Sequence, residues 1–145
     1  MFTTMKKFLV LSLLLISIAS FGQDAKEIIG KPIKIDNLLV AQHDFREAMQ
    51  WDDAKSSCKA LGIGWRLPTK TELNILYMNR RKLGKVSDKD GYWTSSAVPS
   101  RLWDPKWTAE QIGEGIAWRQ YFTSGIQGYA SMSNDKCVVR AVKLL

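Results

Sequence analysis

The sequence predicts an α+β domain in which two helices pack on a small, mostly antiparallel sheet. Two segments, 51–61 and 69–83, carry apolar residues at spacings of three and four, as on one face of a helix. Three later runs, 116–122, 126–132 and 137–143, alternate apolar and polar residues, which is typical of strands. Turn residues separate these runs, so they are expected to form an antiparallel meander behind the helices.

The N-terminal segment is predicted to be an export signal. Lys6 and Lys7 precede an apolar run over 8–18, which is too short to span a bilayer as a helix, and small residues follow. We therefore expect residues 1–22 to be a signal peptide, and residues 23–145 to be one domain that is exported to the periplasm or the cell exterior. An uncleaved anchor or a buried helix is the alternative. No second long apolar run follows, so the mature domain is not expected to span a membrane.

The composition limits the kind of partner. With 24% charged and 46% hydrophobic residues the chain has ordinary globular values, which exclude a disordered or fibrous protein. The net charge of +7 is spread along the chain without a dense basic tract, so no nucleic-acid partner is predicted.

The first elements follow from local patterns. Short apolar runs at 33–35 and 38–41 predict strands, and Trp51, Ala54, Cys58 and Leu61 form a helical stripe that Gly62 can end.

A tight turn is then expected over 64–68, because Pro68 cannot continue a helix. Thr69 and Glu72 form a capping-box signature that opens a second helix running to Leu83, before Gly84. A strand over 92–96 follows, and 97–115 is expected to be a long irregular loop.

Cys58 and Cys137 are the two cysteines of the chain. In an oxidising compartment they are expected to pair, closing a loop of about 80 residues and stabilising the fold by about 4–5 kcal/mol. Two buried free thiols are the alternative. A catalytic thiol is not predicted, because neither cysteine adjoins a histidine or basic residue in a recognisable arrangement.

Separated motifs carry a resemblance to a known family. They are the helix Trp51-x-x-Ala54-x-x-x-Cys58, the string Gly64-Trp-Arg-Leu-Pro-Thr69-x-x-Glu72, the strand Tyr92-Trp-Thr-Ser-Ser96 and the ending Val139-Arg-Ala-Val142. Over about 44–143 the chain resembles the bacterial exported domain family typified by the C-terminal domain of the collagen-like adhesin Lcl. It is similar too to the major paralogous domain of fibrolytic gut bacteria.

The resemblance implies a C-type-lectin-like fold and an exported protein. It also implies a disulfide between the helix cysteine and the late-strand cysteine. We interpret Arg66 and Arg140 as structural donors, and we assign Trp51, Trp65, Trp93 and Trp118 to the core. The remaining motif residues, Pro68, Thr69 and Glu72, are likewise expected to be structural. Since this fold carries many functions, the resemblance implies no particular chemistry.

No catalytic or metal-binding constellation can be assembled from the sequence. His43 is the only histidine, which excludes a multi-histidine zinc site, and no nucleophile elbow or phosphate loop is present. The Glu-Pro-Asn or Gln-Pro-Asp loop and the Trp-Asn-Asp triplet of calcium-dependent lectins are absent. We therefore predict that the protein is not an enzyme and uses no cofactor or metal.

Two features are candidates for binding. One is a basic stripe on the second helix, in which a helical projection places Lys70, Asn74, Arg81 and Lys85 together. It could hold an acidic polysaccharide, and the alternative is a solvated helix face. The other is the irregular loop, whose candidate residues either bind a sugar or partner or pack on the core. They are Arg101, Trp103, Lys106 and Trp107.

These observations favour a non-enzymatic, exported binding domain. Its predicted partner is an acidic or neutral surface or matrix glycan, or an envelope or extracellular protein. A structural or interaction module of an envelope complex, with no sugar site, is the alternative.

Overall fold

The computed structural model describes residues 24–103 and 106–145. The predicted signal peptide therefore lies outside the described residues. The helices and strands are short. The helices are α1 (Ala25–Ile29), α2 (Trp51–Ala60), α3 (Lys70–Met78) and α4 (Ala109–Ile112). The strands are β1 (Ile33–Ile35), β2 (Leu38–Val40), β3 (Tyr92–Ala97), β4 (Ile116–Gln120), β5 (Gln127–Ser131) and β6 (Val142–Leu144).

The strands form two three-stranded antiparallel sheets, in the orders β1-β2-β6 and β3-β4-β5. The α+β prediction is confirmed, but the expected meander stops at β5. The last run does not join the second sheet and pairs with β2, so the first two strands and the last strand share one sheet. Single bridges from Cys137 to Met49 and from Val138 to Tyr92 tie this run to the rest of the molecule.

Two clusters of buried side chains form the core. One lies between α2 and the second sheet and contains both cysteines, with Trp65 and Trp93. The other lies beneath α3 and contains Leu73, Leu76 and Phe122. The apolar stripes of the two helices therefore face the core as their spacing predicts.

The third helix starts where the sequence predicts and ends earlier. The Thr69 hydroxyl accepts the Glu72 N–H at 3.2 Å, and the Glu72 carboxylate accepts the Thr69 N–H at 2.8 Å, so the predicted capping box is confirmed. The helix stops at Met78, where Asn79 leaves the helical conformation with a φ of −105° and a ψ of 14°, and the Asn79 side-chain amide donates to the Ile75 carbonyl at 3.0 Å. A short 3₁₀ turn over Arg80–Lys82 replaces the expected last helical turn.

The hairpin between β4 and β5 depends on one glycine. Gly125 has a φ of +77°, and a Cβ placed there would lie 2.5 Å from the Tyr77 ring. Both the conformation and the close approach require glycine. This turn fixes the register that sets Trp118 opposite Tyr129.

Candidate functional site

An aromatic surface lies on one face of the second sheet. Trp118 of β4 and Tyr129 of β5 are directly opposite in register, and their ring centroids lie 4.4 Å apart. Trp107, from the long loop, meets the Tyr129 ring edge-on at 5.7 Å. We use the name aromatic surface for Trp107, Trp118 and Tyr129. The Tyr129 residue is 40% exposed and the two tryptophans are half-buried, so the rings can be reached from solvent.

A lysine covers part of this surface. The Lys70 ammonium lies 3.3 Å from the centroid of the Trp118 ring, close enough for a cation–π interaction. Two hydrogen bonds fix the backbone of Lys70. Its N–H donates to the Ser96 hydroxyl, and its carbonyl accepts from the Gln127 side-chain amide. A positive charge is thereby held beside the aromatic rings.

A small cleft of about 140 Å³ adjoins the aromatic surface. Some of the polar groups that line it form hydrogen bonds within the protein. The Asp135 carboxylate accepts the Ser131 N–H at 2.7 Å, and the Gln111 side-chain oxygen accepts the Thr108 N–H at 2.9 Å. Each of these side chains has a second polar atom that can face a ligand. Because the cleft is smaller than a drug-sized pocket, it can take one ring or side chain of a longer ligand. The cleft is lined by Trp107, Gln111, Ile116, Tyr129, Ala130, Ser131 and Asp135.

The other loop residues predicted to bind are not among the residues that line the cleft. Trp103 is half-buried, and its indole N–H donates to the Val98 carbonyl at 2.9 Å, so it packs against its own loop. Arg101 and Lys106 are exposed. Of the two loop tryptophans, Trp107 belongs to the aromatic surface.

The predicted basic stripe on one helix face is wrong. Because α3 ends at Met78, the helical projection does not extend to Arg81 or Lys85. Lys70 lies over Trp118, Arg81 is exposed on the 3₁₀ turn, and Lys85 lines a separate cleft of about 480 Å³. A role of these residues in ligand binding stays a prediction.

The motif residues form a structural frame. The Arg66 guanidinium donates to both Glu72 carboxylate oxygens at 2.7 and 2.8 Å, and this hydrogen bonding is the main cause that lowers the pKa of Glu72 and raises that of Arg66. Pro68 is buried, and its carbonyl accepts the Ser95 N–H at 2.8 Å. Trp65 is 8% exposed and Trp93 is fully buried, as predicted.

Arg140 is the most connected of these residues. Its guanidinium is buried and donates to the Asp44 carboxylate and to the carbonyls of Ala41, Gln42 and Lys85. The Tyr92 hydroxyl donates to the same carboxylate, and burial with the Asp44 charge raises the pKa of Tyr92 well above its ordinary value. The prediction that Arg66 and Arg140 are structural donors agrees with these contacts.

The two cysteines lie in the same buried cluster, but the expected disulfide is not formed in the structure, where both are free thiols. Burial raises the pKa of Cys58 to about 12 and that of Cys137 to about 11. The cross-link stays a prediction.

Two parts of this site are not indicated by the sequence. Its pattern predicts Trp118 in the core, whereas this residue is half-buried and lies under Lys70 and Tyr129. Tyr129, Gln111 and Asp135 belong to no motif that marks them as candidates. The alternation of 116–122 and 126–132 is the available signal, since pairing these runs about a tight turn sets the two aromatic residues opposite each other.

The described residues hold no group of three or more His, Cys, Asp or Glu side chains suited to a metal ion, and the His43 residue is exposed at the edge of a separate cleft. No helix among them is long and apolar enough to cross a membrane.

Comparison with known proteins bears on the fold. No family model matches the sequence, and no curated protein matches it. The structure is similar to that of botrocetin, with a TM-score of 0.60 and 15% identity over 80% of this chain and 98% of that one. It is similar also to botrocetin in complex with a von Willebrand factor A1 domain mutant, with a TM-score of 0.56 and 14% identity over 80% and 98%. A third neighbour is EMS16, an antagonist of the collagen receptor integrin α2β1, with a TM-score of 0.55 and 10% identity over 79% and 97%.

These neighbours are C-type-lectin-like snake venom proteins. The fold implied by the motif resemblance is therefore confirmed, while the narrower likeness to the bacterial exported family stays a prediction. The chain has a C-type-lectin-like fold.

Proposed function

We propose that this chain is an exported, non-enzymatic binding domain that holds a surface or matrix polysaccharide on the aromatic surface. The observation that carries the proposal is the aromatic surface, which lies beside a cleft with polar walls. Exposed aromatic side chains that adjoin a small polar cleft are typical of ligand sites.

A sugar ring matches this chemistry. It presents an apolar face of C–H groups and a rim of hydroxyls, so it can stack on the Tyr129 ring while its rim meets polar side chains. Gln111 and Asp135 offer an amide and a carboxylate at the wall of the cleft. The phenolic hydroxyl of the half-exposed Tyr129 can add a donor and an acceptor at the same place.

Lys70 favours an acidic sugar over a neutral one. Its ammonium lies on the Trp118 face next to Tyr129, where it can also reach a carboxylate or sulfate of a stacked sugar. The attraction would weaken with salt, because Lys70 is only half-buried and dissolved ions screen charges that are not fully buried.

Export and the absence of catalysis rest on the sequence. The pattern of 1–22 supports an export signal, and no acid–base pair or activated nucleophile can be assembled.

The second candidate is a protein partner, in an envelope complex without a sugar site. It is favoured by the exposed Tyr129 and by Ile126, which is 63% exposed at the same hairpin. Among the structural neighbours, botrocetin forms a complex with a von Willebrand factor A1 domain, and EMS16 is an integrin antagonist, so both have protein targets. Such a contact is expected to be less sensitive to salt.

The experiment is a glycan-array screen of the mature domain at two salt concentrations, followed by three variants. Tyr129→Ala should weaken binding by about tenfold or more. Tyr121→Ala is the matched control, because Tyr121 contacts Arg119 on the opposite face of the same sheet, and it should bind as the unchanged chain does. Lys70→Met should reduce binding of acidic glycans alone.

Two outcomes contradict the proposal. One is an array with no bound glycan at either salt concentration, which leaves the protein partner as the better function. The other is retention on a sulfated matrix that survives Tyr129→Ala but is lost in Arg81→Glu with Lys85→Glu. That result would show that the ligand binds at the basic residues and not at the aromatic surface.

A further inference from the structure

The strand β5 is an open edge of the second sheet. It pairs with β4 on one side, and within the described residues the sheet order places no strand on its other side. The Tyr121 N–H donates to the Ile126 carbonyl at 3.0 Å, and the Met132 N–H donates to the Gly115 carbonyl at 2.8 Å. Since antiparallel residues alternate between bonded and non-bonded pairs, the backbone groups of residues 127, 129 and 131 point away from β4.

One end of this edge is closed by the protein itself. The Ser131 N–H donates to the Asp135 carboxylate at 2.7 Å, and the Ser131 carbonyl accepts the Asp135 N–H at 3.1 Å. The backbone N–H and C=O groups of Gln127 and Tyr129 form no such bonds within residues 24–103 and 106–145. The open part of the edge therefore extends from Gln127 to Tyr129.

The open part of this edge is not protected by its own sequence. The strand sequence Gln-Gly-Tyr-Ala-Ser contains no charge and no proline, and Ile126 beside it is 63% exposed. A Cβ placed on Gly128 would meet nothing within 4 Å, so the middle of the edge is uncrowded. Natural edges are normally protected by charges, prolines or bulges, and none of these occurs in β5.

We propose that β5 pairs with β5 of a second copy of this chain, antiparallel and about a twofold axis at Gly128. Gln127 would then lie opposite Tyr129 of the partner subunit, and Tyr129 opposite Gln127 of the partner subunit. Both pairs are of the hydrogen-bonded kind, so every open backbone group of the edge gains a partner. A pairing centred on Tyr129 would instead place Gln127 opposite Ser131 of the partner subunit. The backbone N–H of Ser131 already donates to the Asp135 carboxylate of the same chain, so it is not available for this pairing.

Two further observations favour a second copy as the occupant. The strand is uncharged, so the pairing brings no like charges together at the junction, although the whole chain carries +7. The same register brings Ile126, which is 63% exposed, to the junction beside the strand of the partner subunit, where part of its apolar side chain would be removed from water.

The pairing has a geometric consequence. Directly opposite residues project to the same face, so both copies would present their aromatic surfaces on one side of a continuous sheet. A repeating polymer could then bind both surfaces at once. The pairing itself does not depend on the proposed function.

Sedimentation velocity of the mature domain, from on the order of 1 to 300 µM, tests the association. We expect a concentration-dependent dimer. Ile126→Lys should raise the dissociation constant by about tenfold or more, since it brings charge to the junction. Ile63→Lys adds the same charge at a residue that is 94% exposed and far along the chain, and it should associate as the unchanged chain does.

A cross-link tests the register. In the proposed dimer the two Gly128 Cα atoms lie about 4.5 Å apart, within the range of a disulfide. Gly128→Cys should therefore form a covalent dimer under oxidised glutathione, and the control Ile63→Cys should not. A domain that stays monomeric at the highest concentration overturns the proposal, as does a Gly128→Cys variant that cross-links no faster than the control. Circular dichroism confirms that each variant is folded.

Discussion

Removal of the Asp44 carboxylate should strongly destabilise the fold. This carboxylate accepts from the Arg140 Nε at 2.5 Å and from the Tyr92 hydroxyl at 2.7 Å. The Arg140 side chain is 1% exposed and that of Asp44 is 19% exposed. Asp44→Ala would therefore leave a buried guanidinium without its counter-charge and a buried hydroxyl without its acceptor.

The magnitude follows from these burials. Breaking a buried ion pair by removing one partner costs about 3–5 kcal/mol. Water reaches the Asp44 side and can hydrate part of the site, so we expect about 2–4 kcal/mol here. Asp44→Asn retains an acceptor oxygen and removes the charge, so its cost should lie between zero and that of Asp44→Ala.

Urea unfolding, followed by the fluorescence of the buried Trp93, measures the change. At ordinary urea sensitivities the Asp44→Ala midpoint should fall by about 1–2 M. Asp53→Ala is the control, because Asp53 is exposed in the first turn of α2, and it should cost less than about 1 kcal/mol. If Asp44→Ala matches this control, the buried pair does not hold the fold together and the reasoning fails.

Three further predictions concern stability. Thr69→Ala should cost about 1 kcal/mol in urea unfolding without changing glycan binding, and an unchanged midpoint would contradict the capping role. The Arg66 guanidinium lowers the pKa of Glu72, so the folded state gains stability above the ordinary carboxyl pKa and loses it as the pH falls below about 4. In Glu72→Gln the free energy of unfolding should depend less on pH in this acidic range. An unchanged pH dependence would refute the role given to the Arg66–Glu72 pair. Exported protein should carry a Cys58–Cys137 disulfide, whose reduction lowers stability by about 2–5 kcal/mol, whereas an intact mass with two free thiols would exclude it.

The local elements can be predicted because their determinants are local. The capping box needs Thr69 and Glu72 alone, and the α2 stripe needs only the spacing from Trp51 to Leu61. The end of α3 is harder to foresee. Apolar Leu83 continues the helical pattern, but Asn79 leaves the helical conformation and the chain continues as a 3₁₀ turn.

Long-range pairing cannot be predicted from alternation. The run 137–143 has the pattern of a strand, and the pattern does not say which strand it pairs with. In the structure β6 pairs with β2 at the opposite end of the sequence, and Arg140 donates to the carbonyls of 41 and 42. Such contacts depend on the tertiary packing of the whole chain, and the alternation of apolar and polar residues within one segment does not determine it.

The division between motif residues and candidate site residues explains why a resemblance can predict this fold without predicting its ligand. Trp65, Arg66, Glu72, Trp93 and Arg140 are buried in the core or held in internal ion pairs and hydrogen bonds. Their contacts satisfy buried polar groups and set the paths of loops, which any member of the fold needs.

The aromatic surface lies outside the quoted motifs, on β4, β5 and the long loop. The residues that face solvent there can change without loss of the frame, since Tyr129 and Trp107 make ring contacts with each other at the surface. Tyr129→Ala should therefore alter binding more than unfolding, whereas Asp44→Ala should alter unfolding more than binding. Measuring both properties on both variants separates the frame from the site.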